Sequence, residues 1–264
     1  MKKIMELPPL DRVVIVGMGN SGGAWVAEQY RNPFDYSDPR QQVWLINNAI
    51  FAYRGSMGIF MDDLKDEKEV VFRSLDAIGL PVVTSRAYDE WKCAYDYPIK
   101  DVIETLNDTY LVNSIAYAVA LFALNIVKHK PKAPRIELYG CDFNYQGSNP
   151  WESGRGCVEW WLRHVKHLGA EIVIPIESLL MDAAKVSTGR VLYGYHNPPE
   201  VSIVDGRYKV IERPWVEPPD EGNVRVRTPE AEVARDAKLA ADAPKGEIRN
   251  IFGVSPQPES RAAE

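Results

Sequence analysis

The run Val13-Val14-Ile15-Val16-Gly17-Met18-Gly19-Asn20-Ser21-Gly22-Gly23 constrains this chain more than any other part of it. Four apolar, β-branched residues suit a strand buried on both faces, and the glycines that follow are spaced G-x-G-x-x-G. Glycine lets a backbone turn tightly and approach other atoms closely. The helical pattern behind the loop, residues 24–30, would present N–H groups and partial positive charge at its start. Two readings follow: the loop cradles a phosphate, or it is a tight strand-to-helix turn with no ligand.

The first 175 or so residues repeat this alternation. Candidate strands are 12–16, 42–46, 57–61, 81–84, 135–139 and 171–174, and helical patterns cover 21–30, 67–78, 114–128 and 151–168. Strands alternating with helices of this length indicate an α/β fold with a doubly wound, mainly parallel sheet of the Rossmann-like kind. Ligands of such sheets collect at the carboxyl ends of the strands. That rule directs attention to residues 17–23, Asn47 and Asn48, Asp62 and Asp63, 84–86, and 140–145. From Val201 the pattern changes, and residues 201–211 alternate around Asp205-Gly206, a β-hairpin signal. Beyond Pro214 prolines recur and large apolar residues thin out. The expected organisation is a nucleotide-binding catalytic domain over 1–200, a hairpin over 201–213, and an extended Pro-rich tail over 214–264. Such a tail either wraps a partner subunit in a homo-oligomer or stays disordered.

Composition narrows the function classes. With 264 residues, 45% hydrophobic and 26% charged, the chain can bury a substantial core. No apolar run reaches the about 18 residues of a membrane span, and the N-terminus lacks an export-type apolar segment, so a cytoplasmic protein with no membrane partner is expected. Cys93, Cys141 and Cys157 are widely spaced, which suits buried thiols rather than a disulfide framework or zinc cluster. A net charge of −6 argues against a globally basic nucleic-acid binder but not against a local positive groove.

Each candidate site has a bland alternative. An NAD-binding strand pair calls for an acid at the end of the second strand, but this one ends Ile46-Asn47-Asn48. Asparagine can bond ribose or a base edge, so a nucleotide fits better than a dinucleotide dehydrogenase cofactor. Asp62 and Asp63 follow the third strand and either hold Mg²⁺ or Mn²⁺ against a diphosphate or cap the next helix. Asn113 and Ser114 open a small-residue helix, as an N-cap or as a phosphate-binding mouth. Asp142 lies just past the fifth candidate strand, where catalytic carboxylates sit, with Asn144 and Tyr145 beside it as hydrogen-bond donors; a loop Asp bonded to its own backbone is the alternative. His164 is a candidate general base, on a helix that two core tryptophans would also explain.

Taken together, Val14-Ile15-Val16-Gly17-Met18-Gly19-Asn20-Ser21, Asn113-Ser114-Ile115-Ala116-Tyr117-Ala118-Val119-Ala120 and Ile136-Glu137-Leu138-Tyr139-Gly140-Cys141-Asp142-Phe143 resemble the bacterial sialyltransferase-like glycosyltransferases. That group runs from a strand into G-x-G-P-S and later from a strand into G-x-D-F. The layout is also similar to Maf-type flagellin glycosylation proteins and pterin pyrophosphokinase-like proteins. Thr84-Ser85-Arg86 and residues 154–161 add a resemblance, over residues 13–183, to small Rossmann-like proteins of tailed phages. The resemblance implies a sugar-nucleotide site formed by Gly17, Gly19, Asn20, Ser21, Asn47, Ser114 and Asp142. Asn20 stands where the sialyltransferases have proline, and their catalytic histidine has no match beyond the candidate His164.

The expectation is therefore a glycosyltransferase with a UDP- or CMP-linked sugar donor. Its acceptor would be a hydroxymethylated base in phage DNA, with Arg213, Arg225, Arg227, Arg235 and Lys238 along the DNA backbone. Gly17, Gly19, Asn20, Ser21, Gly22, Asn47, Asn113 and Ser114 would hold the donor; Asp62, Asp142 or His164 would take the acceptor proton, and Tyr145 would steady the leaving phosphate. The alternatives are an ATP-dependent phosphotransferase with Mg²⁺ on Asp62 and Asp63, and a nucleotide-binding module without catalysis.

Overall fold

A computed structural model describes residues 3–62, 69–143 and 154–182, together with the strands Glu200–Val204 and Arg207–Ile211. The chain forms two units, Met1–Tyr193 and Gly194–Glu264. The first unit carries β1 (Arg12–Val16), α1 (Gly22–Arg31), β2 (Gln41–Ile46), a 3₁₀ turn (Asn47–Phe51), β3 (Met57–Phe60) and α2 (Glu69–Ile78). It continues with β4 (Val82–Thr84), β5 (Ala94–Asp96), α3 (Ile99–Leu106), α4 (Ser114–His129), β6 (Arg135–Tyr139), α5 (Arg155–His167) and β7 (Glu171–Val173). In the second unit β8 (Glu200–Val204) pairs antiparallel with β9 (Arg207–Ile211), with Val204 opposite Arg207. The tail expected over 214–264 lies outside the described residues.

The sheet has seven strands in the order β5-β4-β3-β2-β1-β6-β7, all parallel. It steps outward from β1 to β5, then returns to add β6 and β7 on the other side of β1. This is the doubly wound arrangement, with its reversal point between β1 and β6. The alternation of side chains along each strand divides the core in two. Val13, Ile15, Trp44, Ile59 and Leu138 belong with buried residues of α3, α4 and α5, including Phe122 and Trp161. Val14, Val16, Val43, Leu45 and Tyr139 belong with Trp25 of α1 and Leu75 of α2. Because both faces are covered, β1 and β3 read as continuous apolar runs. In α4, Ala116, Ala118, Ala120 and Ala123 are fully buried, and their small side chains let the helix lie close to its neighbours.

Two elements went unread in the sequence. β5 is a three-residue edge strand, Ala94-Tyr95-Asp96, too short and too poor in β-branched residues to carry a strand signal. The helix α3 does carry one, since Ile99, Val102, Ile103 and Leu106 recur at helical spacing.

One charge is buried inside the sheet. Glu137 of β6 is 1% exposed and receives Arg12 Nε at 2.6 Å and Arg135 Nε at 2.8 Å. The Tyr139 hydroxyl donates to its second oxygen at 3.1 Å. Burial pushes the Glu137 carboxyl up, but the hydrogen bonds and charges of Arg12 and Arg135 outweigh it and hold the group below its ordinary value. The stability this contributes is present above the unfolded-state value of about 4.3 and is lost as pH falls through the lower folded-state value. Arg12→Met should therefore cost about 2 kcal/mol at neutral pH, less than the about 3–5 of a buried charge left wholly unpartnered, because Arg135 remains. Urea unfolding at pH 7 and below pH 4 checks this: the penalty should shrink at the acid end, and an equal penalty at both would contradict it.

Candidate functional site

The reversal point is built by two glycines meeting across the carboxyl ends of β1 and β6. Val16 pairs with Tyr139, so Gly17 and Gly140 come level. The Gly17 N–H donates to the Tyr139 carbonyl at 2.8 Å, and the Gly19 N–H to the Gly140 carbonyl at 2.8 Å. A Cβ at Gly17 would overlap the Gly140 carbonyl oxygen, and Gly140 itself has φ +65°. A Cβ at Gly19 would sit 2.7 Å from Asp142 Oδ2, and one at Gly22 would sit 2.7 Å from the Tyr53 hydroxyl. The first two glycines of the spacing that suggested a phosphate cradle are thus required by the chain's own packing. For Gly17 and Gly19, which meet the Gly140 backbone carbonyl, the tight-turn reading accounts for the glycine; at Gly22 the neighbour is the movable end of the Tyr53 side chain.

Asp142 completes this junction. It is 3% exposed, and its Oδ2 accepts the Ser21 backbone N–H at 2.7 Å while Oδ1 accepts the Ser21 hydroxyl. That hydroxyl in turn accepts the Gly140 N–H at 2.7 Å. Ser21 is the N-cap of α1 but makes no side-chain cap bond, and the first turn of α1 holds no acid. A carboxylate from the turn after β6 supplies the negative charge that the helix start favours. It occupies the place an incoming phosphate would take, and both its oxygens are engaged. Asp142 is therefore a structural clasp rather than a proton acceptor facing a substrate, a correction to its expected catalytic role.

Other helix starts stand at the same edge, because α4 and α5 run antiparallel to the strands. Asn113 caps α4 by accepting the Ala116 N–H at 2.9 Å, and its amide donates to the Gly154 carbonyl, at the N-cap of α5, at 3.0 Å. Neither helix has an acid in its first turn. Ser114 is 8% exposed, and among the described residues its hydroxyl makes no hydrogen bond. Among the described residues no carboxylate bonds these two helix starts as Asp142 bonds that of α1.

Asn47 stands at the end of β2. Val16 pairs with Leu45, so Asn47 comes level with Met18 of the glycine loop. Its φ is +48°, a region asparagine tolerates better than most residues. Its Oδ1 is buried without a hydrogen-bond partner. Such an acceptor costs about 1–3 kcal/mol until a donor reaches it. Asn20 and Met18 are exposed on the loop beside it.

The remaining candidates divide. Asp62 is exposed past the end of β3, and its backbone carbonyl accepts the Thr84 hydroxyl at 3.4 Å. Asp63 and Tyr145 lie outside the described residues. Among the described residues no three His, Cys, Asp or Glu side chains group as a metal site. His164 is in the last turn of α5, about 15 Å along the helix from Gly154, with its ring 5.5 Å from Trp161. The antiparallel course of α5 carries it to the amino edge of the sheet, so it cannot serve as the base at this site. Burial pushes the Cys141 and Cys157 thiols up, and burial with Asp76 pushes half-buried Cys93 up to about 12, which disfavours the nucleophilic thiolate form.

A cavity of about 560 Å³ opens farther along the carboxyl edge, lined by Arg86, Tyr88, Asp96 and Tyr97. Of its three carboxylates Asp96 is committed, accepting the backbone N–H groups of Lys3 at 2.8 Å and Ala87 at 3.1 Å, while Asp89 and Glu90 are exposed. No protein-family model matches this chain, and no curated protein matches it. No helix among the described residues is long and apolar enough to cross a membrane.

The clasp makes a definite prediction. Ser21→Ala leaves the Gly140 N–H and one Asp142 oxygen buried without partners, and should cost about 2–4 kcal/mol. Thermal and urea unfolding of the variant measure it; a loss under about 0.5 kcal/mol, the size of an ordinary surface change, would contradict the assignment.

Proposed function

We propose that the chain binds a nucleotide across the carboxyl ends of β1 and β2 and the mouths of α4 and α5. The observation that carries this is the buried, unpartnered Asn47 Oδ1 at the end of β2. A ribose hydroxyl or a base amine is a donor of the kind it lacks, and the acid-free starts of α4 and α5 suit the phosphates. Because Asp142 already neutralises the start of α1, the diphosphate belongs nearer Ser114 than the glycine loop.

The activity we propose is glycosyl transfer from a UDP- or CMP-linked sugar. The acceptor oxygen bonds to the anomeric carbon, and the bond from that carbon to the phosphate oxygen breaks. The phosphate leaves with the electron pair, and a carboxylate takes the acceptor proton. Of the expected bases Asp62, Asp142 and His164, Asp62 remains for that role, exposed past the end of β3. A Mg²⁺ or Mn²⁺ ion, which one or two carboxylates and the donor phosphates can hold, would use the same residue. The removal of Asp142 and His164 from the reaction favours a second reading, a nucleotide-binding module without catalysis.

Calorimetric titration with UDP, CMP, their sugar conjugates, ATP and NAD, with and without Mg²⁺, tests the binding claim. Asn47→Gly should weaken nucleotide binding about tenfold, the loss of one hydrogen bond, without lowering thermal stability, because it removes an unsatisfied acceptor and suits a positive φ. Absence of nucleotide binding, or unchanged affinity in Asn47→Gly, would overturn it. Sugar release then separates the two readings. For the transferase, Asp62→Asn should lower turnover by about 10²–10⁴ with nucleotide affinity kept, whereas a module releases no sugar at all.

A further inference from the structure

The opposite edge of the sheet carries a feature the nucleotide site does not use. Since α4 and α5 run antiparallel to the strands, both end at the amino edge, beside the starts of neighbouring β6 and β7. His129 closes α4, Lys130 is its left-handed C-cap at φ +50°, and Lys132 lies in the turn that follows. Arg163, Lys166 and His167 come from the end of α5. His129, Lys130, Lys132, Arg163 and His167 are exposed.

Several acids of this end are already committed, while exposed Glu6 lines a cavity with Lys128 and His129. Lys128 holds Asp101 at 2.6 Å, and Arg135 holds both Glu137 and Glu171. Lys130, Lys132 and Arg163 have no carboxylate within ion-pair distance among the described residues. Yet the chain has 37 acidic residues against 31 Lys and Arg, so partners are in excess overall. Helix dipoles explain cations in a last turn, such as Lys128 and Lys166. They do not explain Lys132, which lies beyond its helix, or Arg163, which sits on the exposed stripe of α5 with Trp160 and His167.

We infer that this face binds the phosphate backbone of nucleic acid. The cations stand on the ends of two helices packed into one core, so they form a firm surface rather than a mobile arm. Among the described residues from 127 to 135 and from 163 to 171 no large apolar side chain is exposed; Trp160, farther up the α5 stripe, is held by Asp108 through its indole N–H, and half-exposed Ile4 lines a cavity with His129. A membrane surface would call for apolar groups to insert; a phosphate backbone calls only for positioned charge. Strands of about five residues, some 17 Å long, separate this face from the nucleotide edge, so it acts as a tether and its case is independent of the proposed activity.

Fluorescence anisotropy of the full chain with a labelled duplex of about 20 base pairs tests this across about 50 to 200 mM salt. The combined variant Lys130→Gln, Lys132→Gln, Arg163→Gln should lower affinity about tenfold or more and reduce the slope of log K against log salt by about 3, with its melting temperature unchanged. A charge-reversed set, each to Glu, should weaken binding further. Absence of duplex binding by the unaltered chain would overturn the inference. So would an unchanged slope in both variants, which would assign the phosphate contacts elsewhere, as would binding to phosphatidylserine vesicles in place of the duplex.

Discussion

Everything in the larger unit is hung on the contact where β1 and β6 end. Gly17 and Gly140 pack so closely that no side chain fits between them, and Ser21 fastens the start of α1 to Asp142 just beyond. β1 is the strand at which the winding reverses, so its end sets the register of the strands on both sides. It also sets where the first helix begins. Hydrogen bonds in so buried a place are worth little net when made and a great deal when broken. That asymmetry makes the clasp a specifying device.

The clasp also decides what the carboxyl edge can bind. A bare helix start attracts an anion, but α1 has received one from its own sheet. Among the described residues no such carboxylate reaches the starts of α4 and α5, while Asn47 keeps a buried acceptor unfilled beside the loop. Folded chains seldom leave a buried acceptor unsatisfied unless something else completes it. The local rules are obeyed at the clasp and broken at Asn47, and broken rules tend to mark the working part of a protein.

Much of this was legible from residues. The strands β1 and β6 keep the expected bounds, and β2, β3, β4 and β7 differ from them by about one residue, because strands buried on both faces leave mainly apolar runs that only Glu137 of β6 breaks in mid-strand. The small-residue face of α4 likewise announced a buried helix. Less legible was the division of labour among polar residues. Nothing near Asp142 in sequence says that its partner is Ser21, some 120 positions away, because pairing across a parallel sheet depends on strand order. His164 looked catalytic by residue type, but only the direction of α5 shows which edge it faces. The separation of cations to the amino edge was hidden in a negative total charge for the same reason.

Hydrogen–deuterium exchange of the full chain, with and without saturating UDP and CMP, addresses the central claim most directly. It reports protection segment by segment at the residues said to receive the ligand. If the carboxyl edge is the nucleotide site, protection should rise in the peptides covering Met18 to Asn20, Asn47 to Phe51 and Asn113 to Ala116, while the amino edge from His129 to Lys132 stays unchanged. Protection confined to other segments, or no change with either nucleotide at saturating concentration, would contradict it.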